Sequence, residues 1–191
     1  MKKIAYVIRV ITVAPIMALV LLLILYFNAP LTFGSTAIFL MTVFFLVVLP
    51  LLAYPLQPLI KKYKDKGREG QRTLAMIFCV AGYIIGLGSA IVIGAPTGVL
   101  VIYLAYMISG LFVALINKVF HFKASGHACG VTGPFILLVY FGQEIGYLGA
   151  VVLAFAWLAS LYMKRHTWPQ LLVGASIPFA ALGIILLISL S

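Results

Sequence analysis

Between short basic blocks this chain carries apolar runs of roughly twenty residues, the length a helix needs to cross the hydrocarbon core of a bilayer. Hydrophobic residues make up 65% of it and charged residues 8%, and mean hydropathy is +1.24. Soluble domains run at roughly 45–50% apolar and about 25% charged, so a water-soluble fold of this size has nowhere to hide the apolar surface. In lipid, only helices and closed barrels satisfy every backbone hydrogen bond. Barrel strands alternate apolar and polar residues over segments of about ten, whereas the runs here are continuous. The fold class that follows is all-α, a polytopic transmembrane helical bundle.

The spacing predicts about seven spans. The first runs from Val10 to Phe27, after Lys2, Lys3 and Arg9. Its apolar run is long and no A-x-A site follows, so it reads as an uncleaved anchor and not as a signal peptide. The second covers Phe33 to Ile60, with Pro50, Pro55 and Pro58 predicting a kink in its second half or an early end. A polar loop over 61–72 precedes the third span, Thr73 to Gly94. The fourth is Val99 to Phe120, the fifth Ala128 to Phe141, the sixth Ile145 to Met163 and the seventh Pro169 to Leu190. The fifth is short unless the residues before Ala128 already belong to its helix. Gly82 and Gly86 have the small-xxx-small spacing of close helix packing. No repeat or low-complexity linker interrupts the run, so 1–191 reads as one integral membrane domain, two spans and a basic loop over 1–72 and a helical core over 73–191.

The net charge is +10, which in a soluble protein would suggest nucleic acid. Here the cations sit in blocks between spans, where topology requires them, and nucleic acid is not an expected partner. With seven spans, the N-terminus, 61–72, 117–127 and 164–168 share one side, and they hold every Lys and Arg of the sequence. The connections near Asn28, Ala95 and Gln143 hold none. The positive-inside rule then puts the basic segments in the cytoplasm of a bacterial or archaeal cell, with anionic lipids against the 61–72 loop.

All three histidines, His121, His127 and His166, lie in those same segments. His127 and His166 each stand with cations at a helix end. Ser125 and Gly126 supply a hydroxyl and an accessible backbone N–H at the start of the fifth span, and a helix N-terminus favours anions. With Lys118, Lys123, Lys164 and Arg165 nearby in sequence, the fitting ligand is phosphate. Two histidines beside a phosphate suit a double displacement, one attacking phosphorus and the other protonating the leaving oxygen. Asp65, Glu69 and Glu144 are too few and too scattered for a two-metal site, so neither a metal nor a cofactor is expected. Cys79 and Cys129 lack metal-like spacing and read as packing residues.

Ser125-Gly-His-Ala, a helical hairpin, then His166-x-x-x-Gln170 and Gly174 together resemble the C-terminal half of the type 2 phosphatidic acid phosphatase (PAP2) family, over about residues 118–187. The resemblance implies a core made of the last four or five spans, with His127 as general acid, His166 as nucleophile and residue 170 orienting the nucleophile. It also implies phosphate ligands among Lys118, Lys123, Ser125, Gly126, Lys164 and Arg165. The chain departs from the family pattern at several points. Ala124 replaces a proline, Gln170 an aspartate, and Ser160 stands where the family's third-motif arginine is expected. The K-x6-R-P motif has no clean match, and Lys61 with Arg68, at the K-x6-R spacing, reads as loop charge.

The expectation is a metal-independent phosphatase of a membrane lipid phosphate or diphosphate, such as phosphatidic acid, phosphatidylglycerol phosphate or a polyprenyl phosphate. Two alternatives stand beside it. One is a catalytically weakened relative that binds lipid head groups as a structural or assembly factor. The other is a small transporter, although proton-coupled carriers rely on intramembrane carboxylates that this chain lacks.

Overall fold

The structure, a computed structural model, describes residues 2–190, and these are helical with short turns and no strand. Five helices are long and apolar enough to cross a membrane, or six if the bent pair at the N-terminus counts as one span.

That pair corrects the first expected span. Helix α1 (Lys2–Ile11) meets α2 (Ala14–Asn28) at a bend of 52°. Val13 is extended at the break, and Pro15 stands in the first turn of α2, where its missing N–H is harmless. In a continuous helix its ring would strike the carbonyl of Ile11. Helix α2 goes on into the bundle, burying Leu21, Leu22 and Leu25, while α1 turns away and lies against α8 (Gly149–Tyr162) with Ala5 inward.

The second segment is one apolar rod, Thr36–Leu59. It comprises α3 (Thr36–Val43), a π turn over Phe44–Val48, α4 (Leu49–Leu56) and a closing 3-10 turn at Gln57–Leu59. The widened turn just before Pro50 makes room for the proline ring, so the prolines neither break the rod nor end it early. Buried Gln57 then fastens the following turn, its amide donating to the carbonyls of Tyr63 at 3.1 Å and Gly67 at 2.7 Å.

Helix α5 (Gly67–Val92) starts six residues earlier than expected, so Arg68 and Arg72 are helical and only 61–66 forms the connection. Gly82 and Gly86 let α5 close on its neighbours. A Cβ at Gly82 would strike the Phe45 carbonyl of the π turn, and one at Gly86 the Tyr103 ring of α6 (Thr97–Lys118).

Helix α7 (Gly126–Tyr140) includes Gly126 and His127 but has only 15 residues, about 22 Å at 1.5 Å per residue. A 3-10 turn, Glu144–Leu148, leads into α8, and α9 (Trp168–Leu190) closes the bundle. The most extensive helix pairing is α7 with α9.

The connections sort to two ends. At one, Gly34 lies against Pro96, and Gly98 against Thr32 and Phe141, which joins three turns free of Lys and Arg. At the other, the basic segments meet.

Candidate functional site

The basic end is assembled around the start of α7 and the start of α9. Ser125 is the N-cap of α7, its Oγ accepting the Ala128 N–H at 3.2 Å. Its own N–H donates to the Gln170 carbonyl at 2.9 Å. Gly174, one turn further along α9, has no side chain to hold the helices apart. Any Cβ there would strike the Ser125 carbonyl. The sequence's two candidate segments are thus brought into direct contact.

Thr167-x-x-Gln170 forms the side-chain half of a capping box at the start of α9. Gln170 Oε1 accepts the Thr167 N–H at 3.1 Å and lies 3.2 Å from His166 Nδ1. The backbone donor fixes which amide atom is the oxygen, so His166 Nδ1 must carry the proton toward it. Nε2 is left with a free lone pair.

The end of α8 delivers the cations. Lys164 N–H bonds the Leu161 carbonyl at 2.9 Å and Arg165 N–H the Ser160 carbonyl at 3.0 Å, the pair of bonds that defines a Schellman motif. Its left-handed position, usually glycine, is Lys164 at φ 51°. A side chain there costs roughly 1 kcal/mol, and in this place it turns Lys164 and Arg165 beside His166. An open cavity of about 550 Å³ results, lined by Lys123, Lys164, Arg165, His166, Thr167 and Gln170 with Leu161 and Trp168.

His127 does not line that cavity. It is half-buried, with Nε2 3.1 Å from Thr12 Oγ1. Thr12 Oγ1 is also 2.7 Å from the Ile8 carbonyl, to which it donates its one proton. His127 therefore donates from Nε2, and Nδ1 is the nitrogen left to exchange a proton. Burial lowers His166; the Gln170 hydrogen bond opposes this, and Lys123, Arg9 and Arg72 reinforce it. The His166 ring is neutral near pH 7.

The remaining expected ligands are placed differently. Lys118 is exposed in the last turn of α6 and Lys123 alone of the two reaches the cavity. Ser125 is fully buried and its hydroxyl serves the cap, while Gly126 is exposed at the helix start. His121 is exposed and outside the cavity. Among the described residues no three His, Cys, Asp or Glu side chains cluster.

Sequence reasoning left four nearby residues out of the site: Arg9, Thr12, Arg68 and Arg72. Arg9 Nη1 donates to buried Ser160 Oγ at 2.6 Å, and its charged neighbours are Arg165, Arg68 and Arg72. Arg9 and Thr12 lie three apart on one helical face, in the stretch before Pro15. That spacing was the available signal, masked by the ordinary reading of N-terminal cations as topology marks.

No family model, curated protein or solved structure matches the chain.

Proposed function

We propose that this membrane protein is a metal-independent phosphatase of a lipid phosphate or diphosphate, with a core like that of the type 2 phosphatidic acid phosphatases. The observation that carries the reading is His166, its Nδ1 engaged by Gln170 and its Nε2 free in a cavity with Lys123, Lys164 and Arg165 on the wall. A neutral imidazole held in one tautomer is a ready nucleophile, and fixed cations stabilise the equatorial oxygens of a phosphoryl transition state.

The reaction runs in two displacements. The His166 Nε2 lone pair attacks phosphorus, and the phosphorus–oxygen bond to the lipid breaks. The leaving oxygen takes a proton from the His127 imidazolium, which gives a lipid alcohol, or a lipid monophosphate when the substrate is a diphosphate. A water then gives a proton to His127 and its oxygen to phosphorus, which breaks the phosphorus–nitrogen bond. Phosphate leaves and His166 is restored. Substrate itself charges His127, because a phosphate dianion beside a neutral imidazole raises its pKa.

In this reading α2 and α7 both cross the bilayer, which makes seven spans, and α1 lies at the boundary on the basic side. A 15-residue α7 falls roughly 8 Å short of the hydrocarbon thickness. Its start is then set back from the basic end, at a depth suited to a head group whose chains stay in lipid.

The test is phosphate release by the purified chain in lipid nanodiscs with a chelator present. Phosphatidic acid, phosphatidylglycerol phosphate and polyprenyl mono- and diphosphates are the substrates. We expect release from at least one, abolished in His166→Ala, with a phosphoenzyme label that is acid-labile and alkali-stable. No release from any of them by the wild type overturns the reading.

The position of His127 off the cavity wall favours a second reading, a head-group binder without turnover. The neutral Gln170 and the serine at 160 favour it too. Lipid-phosphate binding that survives His166→Ala, with no release by either form, would select it.

A further inference from the structure

Arg9 is half-buried, and among the described residues no acid is one of the charges that act on it. Its hydrogen-bond partner is a neutral hydroxyl, Ser160 Oγ, which is fully buried and itself 2.8 Å from the Ala156 carbonyl. The Ser160 proton goes to that carbonyl, so Ser160 acts only as an acceptor and holds the guanidinium in place without offsetting its charge.

The surroundings make this costlier. Arg165, Arg68 and Arg72 are the charges that act on Arg9, and Arg9 with Arg72 and Lys123 acts on His166. One ion pair lies among the described residues, Lys64 with Asp65 at 3.9 Å, and it is an exposed contact within the 61–66 turn. Cations drawn from four separate segments, with no ion pair among them in the described residues, repel one another. Such an arrangement is stable when an anion occupies it. A guanidinium has five donors in a fixed fork, and one is used on Ser160.

Helix α1 is built to bring Arg9 there. The 52° bend takes it off the axis of α2 and lays it against α8. Ala5 faces inward, while Tyr6 and Val7 stay exposed beside Lys2 and Lys3. An amphipathic helix with lysines at its start and apolar residues on its free face suits the membrane–water boundary. One turn beyond Arg9, Thr12 holds His127, so the same segment touches one histidine and places a charge that acts on the other.

We propose that α1 is part of the anion site and that Arg9 is a phosphoryl ligand, held on Ser160 to meet the phosphate bound at His166. The proposal rests on the phosphate-site reading above and extends it to a helix that the family resemblance does not reach. Ligand chemistry is a phosphoryl oxyanion, carried by a lipid head group or by free phosphate.

The test is binding of inorganic phosphate to the full chain in detergent, read as the shift in melting temperature at constant ionic strength. Short-chain phosphatidic acid in a parallel titration distinguishes the lipid source from the free ion. Arg9→Gln keeps an N–H for Ser160 and removes the charge, Arg9→Lys restores the charge, and Lys62→Met is a control in the distant turn. We expect Arg9→Gln to weaken binding about tenfold or more, Arg9→Lys to recover part of it, and Lys62→Met to bind as wild type. Melting of Arg9→Gln without phosphate reports whether the variant is folded, and Arg9→Lys carries the test if it is not. Wild-type affinity in Arg9→Gln, or an equal loss in Arg9→Lys and Arg9→Gln, overturns the role of Arg9 and leaves the phosphatase reading to its own turnover assay. No response of the wild type to phosphate or to phosphatidic acid, with no turnover, overturns both.

Discussion

Gln170 does two jobs with one oxygen, capping α9 through Thr167 and orienting His166. Gln170→Ala removes both. We expect a loss of about 1 kcal/mol in stability and a larger loss in turnover, since His166 is then free to take the other tautomer. Gln170→Asp retains both acceptors and adds a charge, which raises the His166 pKa. The acid limb of its pH–rate profile moves to higher pH, and an unmoved limb would show that Gln170 only caps the helix.

Among the helices, the junction of α7 with α9 decides whether the site exists. Gly174 presses on the Ser125 carbonyl, and backbone does not yield cheaply. Gly174→Ala must push the start of α7 off α9 and break the bond from Ser125 N–H to Gln170. We expect a loss of about 2 kcal/mol or more together with loss of activity. Gly183, also on α9, has open space where its Cβ would be. Gly183→Ala gains up to about 1 kcal/mol from helix propensity. Equal effects of the two changes on melting would argue against the packing account. Much at this scale was legible in advance. Five of the seven expected spans coincide with helices long and apolar enough to cross, and the sequence motif already contains Ser125, His166, Gln170 and Gly174, which the fold brings together. The bend before Pro15, the π turn before Pro50 and the early start of α5 were not legible. A proline announces that a helix is perturbed without saying whether it breaks, widens or continues, because packing decides that. Gly67-Arg-Glu-Gly-Gln-Arg72 reads as a loop by polarity, yet it is the wet first turns of a long helix.

For the whole molecule, the question is which compartment the basic end faces. All 13 Lys and Arg lie in the four segments expected to share a side. Arg9 bonds Ser160 at the end of α8, Lys123 shares a cavity with Lys164, Arg165 and His166, and Arg68 and Arg72 act electrostatically on Arg9. A charge that serves a phosphate says nothing of orientation, because a site on either face needs it. Lys123, Lys164, Arg165, Arg9, Arg68 and Arg72 therefore carry no information on orientation. Lys2, Lys3, Lys61, Lys62, Lys64, Lys66 and Lys118 remain, away from the cavity wall. The opposite turns at Asn28–Thr36, Gly94–Pro96 and 141–144 hold no cation. That residue of charge still obeys the positive-inside rule. In intact cells a cysteine replacing Lys62 is thus expected to resist an impermeant thiol reagent and to react after permeabilisation, while one replacing Asn28 reacts without it. Alanine at Cys79 and Cys129 removes the native background. The reverse pattern would put the site outside, with the lysine blocks acting on lipid head groups and not on topology.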